Sequence, residues 1–190
     1  MVETSIIVRA FNEQTHLPAL FDAIERQRYR DFEVILVDSG SYDRTREIAA
    51  ERGARIQRIS SHDFTFGYSL NVGIEAAAGR LIVIVSAHTV PTSDDWLGNL
   101  IAPLSDPDVA MSYGRQIGVS GSKFSEAEDF DRIFGDRPRE DTSRNIRANN
   151  ACSAIPRALW EQKIFNPEIT GLEDADWASH WLRRDRRGVY

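Results

Sequence analysis

The chain has 190 residues, 42% of them apolar and 27% charged, close to the averages of folded globular proteins, which excludes a disordered, collagenous or coiled-coil polymer. Its 23 basic residues against 29 acidic ones, net −6, speak against a nucleic-acid partner. The longest apolar run, Leu81 to Ala87 broken by Ser86, falls far short of the roughly 20 residues that span a bilayer; no leader pattern opens the chain, and the lone Cys152 allows no internal disulfide, so a cytoplasmic location is expected.

Strand-like and helix-like segments alternate through the first half. Ser5-Ile6-Ile7-Val8 is β-branched and apolar, and about Thr15 to Gln27 carries Leu17, Leu20, Phe21 and Ile24 on one helical face. Phe32 to Val37 is a second strand, ending in Asp38-Ser39-Gly40-Ser41; a helix over about Tyr42 to Arg52 stops at Gly53. Arg55 to Ile59 reads as a more exposed strand, Tyr68 to Ala78 as a helix closed by Gly79, and Leu81 to Val85 as the most buried strand. Ser93-Asp94-Asp95-Trp96 caps a helix to about Leu104, and Val109 to Arg115 is a further strand. Residues 117–147 are polar without sustained period, and a loop with one short helix near Phe124 to Phe134 is expected there. Order returns over Ala148 to Ile155, in a short helix near Arg157 to Gln162, and in a helix from about Glu173 to Arg186.

This pattern predicts an α/β fold with a Rossmann-like, mostly parallel central sheet and helices on both faces. Right-handed crossovers gather the loops after the strands on one edge, where Ala10 to Glu13, Asp38 to Ser41 and Ser86 to Pro91 would meet. Residues 1–190 are expected to form one domain, with a nucleotide-binding half over 1–115 and an acceptor half over 116–190.

Three groups could do chemistry. Asp38-Ser39-Gly40-Ser41 is either a plain helix-capping turn or a turn whose N–H groups and acid hold a base or ribose. Ser86-Ala87-His88 offers an imidazole for a divalent metal or a phosphate oxygen, or simply a hydrogen-bonded loop histidine; no His-x-x-x-His spacing supports the metal reading. Glu173-Asp174-Ala175-Asp176 suits a helix dipole, but Gly171, Leu172 and Trp177 around it suggest a turn pinned against a core, with an acid aimed into a cleft as general base. Arg183, Arg184, Arg186 and Arg187 would complement the same helix's C-terminus, with a membrane surface or a substrate phosphate as alternatives. No Gly-x-Gly-x-x-Gly follows the first strand, and neither a P-loop nor a Gly-x-Ser-x-Gly elbow occurs, so a dinucleotide site, a nucleotide triphosphatase and a serine hydrolase are unsupported. Cys152, in an apolar run, reads as core.

Together these segments resemble family 2 glycosyltransferases. Ser5-Ile6-Ile7-Val8-Arg9-Ala10-Phe11-Asn12-Glu13 is similar to the family's opening strand and Asn-Glu, and Val37-Asp38-Ser39-Gly40-Ser41-Tyr42-Asp43-Arg44-Thr45 to its Val-Asp-[Asp/Ser]-Gly-Ser-x-Asp-x-Thr signature. Asn71-Val72-Gly73 through Gly79 resembles the helix before the central strand, and Glu173-Asp174 with Trp177 the pair that supplies the catalytic base. The resemblance implies a GT-A fold, a nucleotide-sugar donor (usually UDP-linked), a saccharide or lipid-linked acceptor in cell-surface polysaccharide assembly, and inversion by single displacement. By position, Ala10, Phe11, Glu13, Asp38, Ser86 and Ala87 would bind the donor. Asp174 would deprotonate the acceptor, and Glu173 would support it or touch the acceptor. A divalent Mg²⁺ or Mn²⁺ is implied at the diphosphate.

Three departures stand out. Ser86-Ala87-His88 replaces the usual Asp-x-Asp, which predicts weaker metal binding or a shift towards Mn²⁺, with His88 the only good ligand of the three. Leu70 stands where relatives often carry a basic residue and Arg9 where they carry proline, so phosphate contacts would fall to Arg9 or Arg115. Relatives continue past the Arg-Gly-Val-Tyr segment, so the acceptor half is expected to be one segment short at Tyr190. A catalytically weak or inactive nucleotide-sugar-binding domain of a larger assembly is the alternative reading, and peripheral association with the inner membrane face is compatible with both.

Overall fold

The computed structural model describes residues 2–117, 140–141, 146–147 and 149–189. The short helix expected near Phe124 to Phe134 lies outside the described residues. Strands β1 (Thr4–Ala10), β2 (Phe32–Asp38), β3 (Arg55–Arg58), β4 (Leu81–Ser86), β5 (Val109–Tyr113), β6 (Glu140–Asp141), β7 (Cys152–Pro156) and β8 (Arg187–Val189) form one sheet in the order β3-β2-β1-β4-β7-β5-β8-β6. β1 to β5 and β8 point the same way, while β7 and β6 oppose them. The predicted mostly parallel α/β architecture is what forms.

Helices α1 (Leu17–Glu25), α2 (Thr45–Glu51) and α4 (Trp96–Ile101, continued by a 3₁₀ turn over Ala102–Ser105) cover one face. Helices α3 (Phe66–Ala76), α5 (Arg157–Gln162) and α6 (Glu173–Leu182) cover the other. The pleat decides which residue meets which layer. Ile6 and Val8 of β1 pack with Leu17, Leu20 and Phe21 of α1, while Ile7 between them packs with Leu70 and Ile74 of α3. Both faces of β4 are buried, which explains its unbroken apolar run. β3 lies at the sheet edge with its terminal arginines exposed. Helix α3 lies close to the sheet because Gly73 faces it: a Cβ there would meet Ile7 Cγ2 at 2.6 Å and Val37 Cγ2 at 2.8 Å.

One expectation needs correction. The last helix ends at Leu182, not Arg186, because Asp185 turns left-handed (φ 61°) and Arg187 enters β8. There Arg187 is held by Asp106 and, at 2.8 Å, by Glu140, so it is engaged within the fold. Where order returns after residue 148, β7 inserts antiparallel between β4 and β5.

Candidate active site at the carboxyl edge of the sheet

Sheet register sets the cleft. Ala10 pairs with Asp38 and Arg9 with Ser86, so the loops after β1, β2 and β4 leave the sheet side by side. Side chains then lock the first two loops together. Asn12, left-handed at φ 58°, accepts from the Tyr42 N–H at 3.0 Å, and its own N–H donates to Ser41 Oγ at 2.9 Å. Asn tolerates that conformation because its short amide can satisfy local backbone groups. The Glu13 N–H donates to Thr45 Oγ1 at 2.6 Å and the Gln14 N–H to Asp43 Oδ2 at 3.1 Å. The signature residues Ser41, Asp43 and Thr45 thus serve as struts for the Asn-Glu loop.

An open cleft of about 220 Å³ lies above this edge, lined by Arg9, Ala10, Phe11, Glu13, Ser39, Phe64, Phe66, Ser86 and His88. Of the residues expected at the site, the donor residues Ala10, Phe11, Glu13 and Ser86 and the metal candidate His88 are therefore brought together. Phe11 is 49% exposed, and Phe64 and Phe66, both lining the cleft, meet edge to face, so flat apolar surface is on offer. Asp38 is fully buried beneath it. Its carboxylate accepts from the Ser41 N–H at 3.1 Å and from Gly40 N–H and Arg46 at 3.4 Å, a turn that needs Gly40 at φ 98°. Ala87, expected at the donor, is buried in the core and does not line the cleft. Leu70 is likewise core, and Arg115 lines a separate cavity beside Trp96 and Tyr113 rather than this cleft.

The acid pair arrives from α6. Trp177, fully buried and donating Nε1–H to the Lys163 carbonyl at 2.6 Å, pins the helix; Leu172 is 76% exposed and plays no part in that anchoring, contrary to expectation. Glu173 is buried and accepts from Arg9 at 3.4 Å and from Asn150 Nδ2 at 3.2 Å. Asp174 accepts from the Asn150 N–H at 3.1 Å and the Ala175 N–H at 2.7 Å. Burial pulls the Arg9 guanidinium below its ordinary pKa, and the carboxylates of Glu173 and Asp174 push it back up. Arg9 also lies 4.8 Å from the Phe66 ring centre, so one cation ties the acid pair to the cleft wall.

One residue escaped the sequence reading. Glu13 Oε1 lies 2.7 Å from His88 Nε2 and Glu13 Oε2 lies 2.9 Å from His16 Nδ1, with the two rings 4.4 Å apart. One donor atom from each of the three residues falls within 4.8 Å of the others, so the residues fit a divalent cation. The signal was Glu13-x-x-His16, three residues apart on the turn that opens α1, where the His16 N–H bonds the Glu13 carbonyl at 3.0 Å.

Comparison with known proteins agrees with this geometry. Residues 5–165 match the model of glycosyl transferase family 2. An O-antigen chain rhamnosyltransferase, RfbN, of Salmonella typhimurium is 28% identical over 118 residues, covering 61% of this chain and 38% of that protein. A PGL/p-HBAD biosynthesis glycosyltransferase of Mycobacterium bovis is 31% identical over 136 residues, covering 68% and 53%. The chain thus spans between about two fifths and half of the length of these curated relatives. Among solved structures, the mannosyltransferase PcManGT of Pyrobaculum calidifontis, in complex with GDP-Man and Mn²⁺, superposes with a TM-score of 0.74 at 20% identity over 98% of this chain and 53% of its own. S. aureus TarS 1-349 in complex with UDP-GlcNAc gives 0.77 at 19% identity, over 99% and 55%. The fold is GT-A, and the chain belongs to glycosyl transferase family 2.

Proposed function

We propose that this chain is the catalytic domain of an inverting glycosyltransferase that moves a sugar from a nucleotide-sugar donor, UDP-linked, to a hydroxyl of a saccharide or lipid-linked acceptor in cell-surface polysaccharide assembly. It would act on the cytoplasmic side; among the described residues no helix is long and apolar enough to cross a membrane. The observation that supports the reading is that residues after β1, β2 and β4 line one cleft, and that Arg9, which also lines it, bonds Glu173 at the start of α6, 164 residues away in the chain.

In this reading Ala10, Phe11, Glu13 and Ser86 line the donor site, and Asp38, buried beneath them, holds the turn after β2 that shapes it. Asp174 takes the acceptor's hydroxyl proton while the oxygen attacks the anomeric carbon, and the bond to the nucleoside diphosphate breaks with its electron pair on the phosphate. The two N–H bonds to Asp174 fix its carboxylate in place for that transfer. Glu173, neutralised by Arg9, keeps Asn150 and hence Asp174 in position. Glu13, His16 and His88 would hold a divalent cation, whose charge would stabilise the diphosphate leaving group.

The absence of acids in Ser86-Ala87-His88 favours a second reading, a domain that binds donor without turning it over. Nucleoside diphosphate release from a panel of UDP-, GDP- and dTDP-sugars with Mn²⁺ separates the two. Release from one donor class with an inverted anomeric product by NMR supports transfer. Donor binding without release supports the second reading, and neither binding nor release overturns both.

A further inference from the structure

Resting on the reading of this cleft as the donor site, we infer that Glu13, His16 and His88 form a three-donor site for a first-row transition cation, with His16 supplying a ligand from outside the motif where such a metal would be sought. Four observations carry it. Glu13 is buried with both oxygens directed at imidazole nitrogens, 2.7 and 2.9 Å away. Two imidazoles and a carboxylate are a donor set that suits Mn²⁺, Co²⁺ or Zn²⁺ better than Mg²⁺, which prefers oxygen. Donors around a metal at about 2.0–2.2 Å sit roughly 3 Å apart, and the three donor atoms already lie within 4.8 Å of one another. Finally, His16 occupies the N-cap of α1 yet makes no capping bond with its side chain. Ser, Thr, Asp or Asn would cap there, so helix capping does not account for it.

The backbone around the site is preassembled. Glu13 is held by Thr45, and its carbonyl accepts the N–H groups of both His16 and Leu17 at 3.0 Å, fixing the turn that puts Glu13 and His16 on one side. The two histidine side chains, 50% and 60% exposed, retain the freedom to open around an ion. A three-donor set leaves coordination positions for water or a phosphate oxygen, which is what a cation serving a diphosphate requires. The site therefore binds metal without nucleotide and replaces negative charge by nitrogen ligation, offsetting the loss of Asp-x-Asp.

The test uses the tag-free full chain and Co²⁺ alone, read by visible absorption and calorimetry, with Mg²⁺ as competitor. Expected are about one Co²⁺ per chain with affinity roughly 100-fold above that for Mg²⁺, and a loss of roughly tenfold or more in His16→Ala, His88→Ala and Glu13→Gln. Circular dichroism of the half-exposed His16→Ala variant should match the wild type. Unchanged Co²⁺ affinity in His16→Ala, or equal affinity for Mg²⁺, overturns the site. UDP titrated separately keeps the two readings apart. UDP binding without stoichiometric Co²⁺ removes the metal site and spares the donor site; Co²⁺ binding without UDP binding spares the metal site and removes the donor reading on which its role rests.

Discussion

The two halves of the sheet reach the cleft by different means. In the half built from β1, β2, β3 and β4, each loop is the next local step of a β-α-β path, and neighbouring loops are tied by short bonds such as Asn12 to Tyr42 and Glu13 to Thr45. In the other half the chain reverses through β7, and the acid pair arrives on the first turn of α6 rather than at a strand end. Its placement depends on a few contacts distant in sequence: Arg9 with Glu173, and Asn150 with both acids. The first rim is tied together by its own loops; the second is anchored to the first by the β4–β7 pairing and the Asn71 bonds, and at the cleft by the buried Arg9–Glu173 pair. Changes on the first rim should therefore act on binding, and changes on the second on turnover.

The sharpest separation comes from Asp174→Asn. Transfer is expected to fall by about 10²–10⁴-fold, the usual scale for a lost general base, with UDP affinity on the same samples within a few-fold. A parallel loss of UDP affinity would erase the distinction between the rims. Next is Arg9→Met, which leaves the buried Glu173 carboxylate without its cation. Urea denaturation should show a loss of about 3 kcal/mol, partly restored in the Arg9→Met, Glu173→Gln double variant; no restoration would mean that the pair does not link the acid helix to the cleft. Within the first half, Gly73→Ala forces a Cβ against Ile7 and Val37 and should cost about 1–3 kcal/mol in the same assay. The smallest effect concerns β7. Burial pushes the Cys152 thiol up, against the bond from Trp96, so little thiolate forms and maleimide should label the folded chain far more slowly than the urea-unfolded chain at pH 8.

The same contrast explains what the sequence made legible. Apolar runs and Gly stops located β1 to β5 and their helices to within a few residues, because local periodicity encodes them. The carboxyl-edge meeting of Ala10, Asp38 and Ser86 followed from parallel register alone. The insertion of β7 and the engagement of Arg187 by Asp106 and Glu140 did not follow, since non-local pairing leaves no periodic trace. Asn71 is a further case. It sits in a segment resembling the family, yet its amide is spent on Trp160 and Phe165, fastening α3 to α5 and to the chain just after it. His16 was missed because its partner His88 lies 72 residues away and only the sheet brings them together.

Calorimetric titration of UDP and GDP into the wild type, Asp38→Asn and Asp38→Ala weighs the donor-site assignment itself. Saturable binding of one of these nucleotides by the wild type, reduced roughly tenfold or more in both variants while each still unfolds cooperatively, is the predicted result. Affinity unchanged by both substitutions would contradict it.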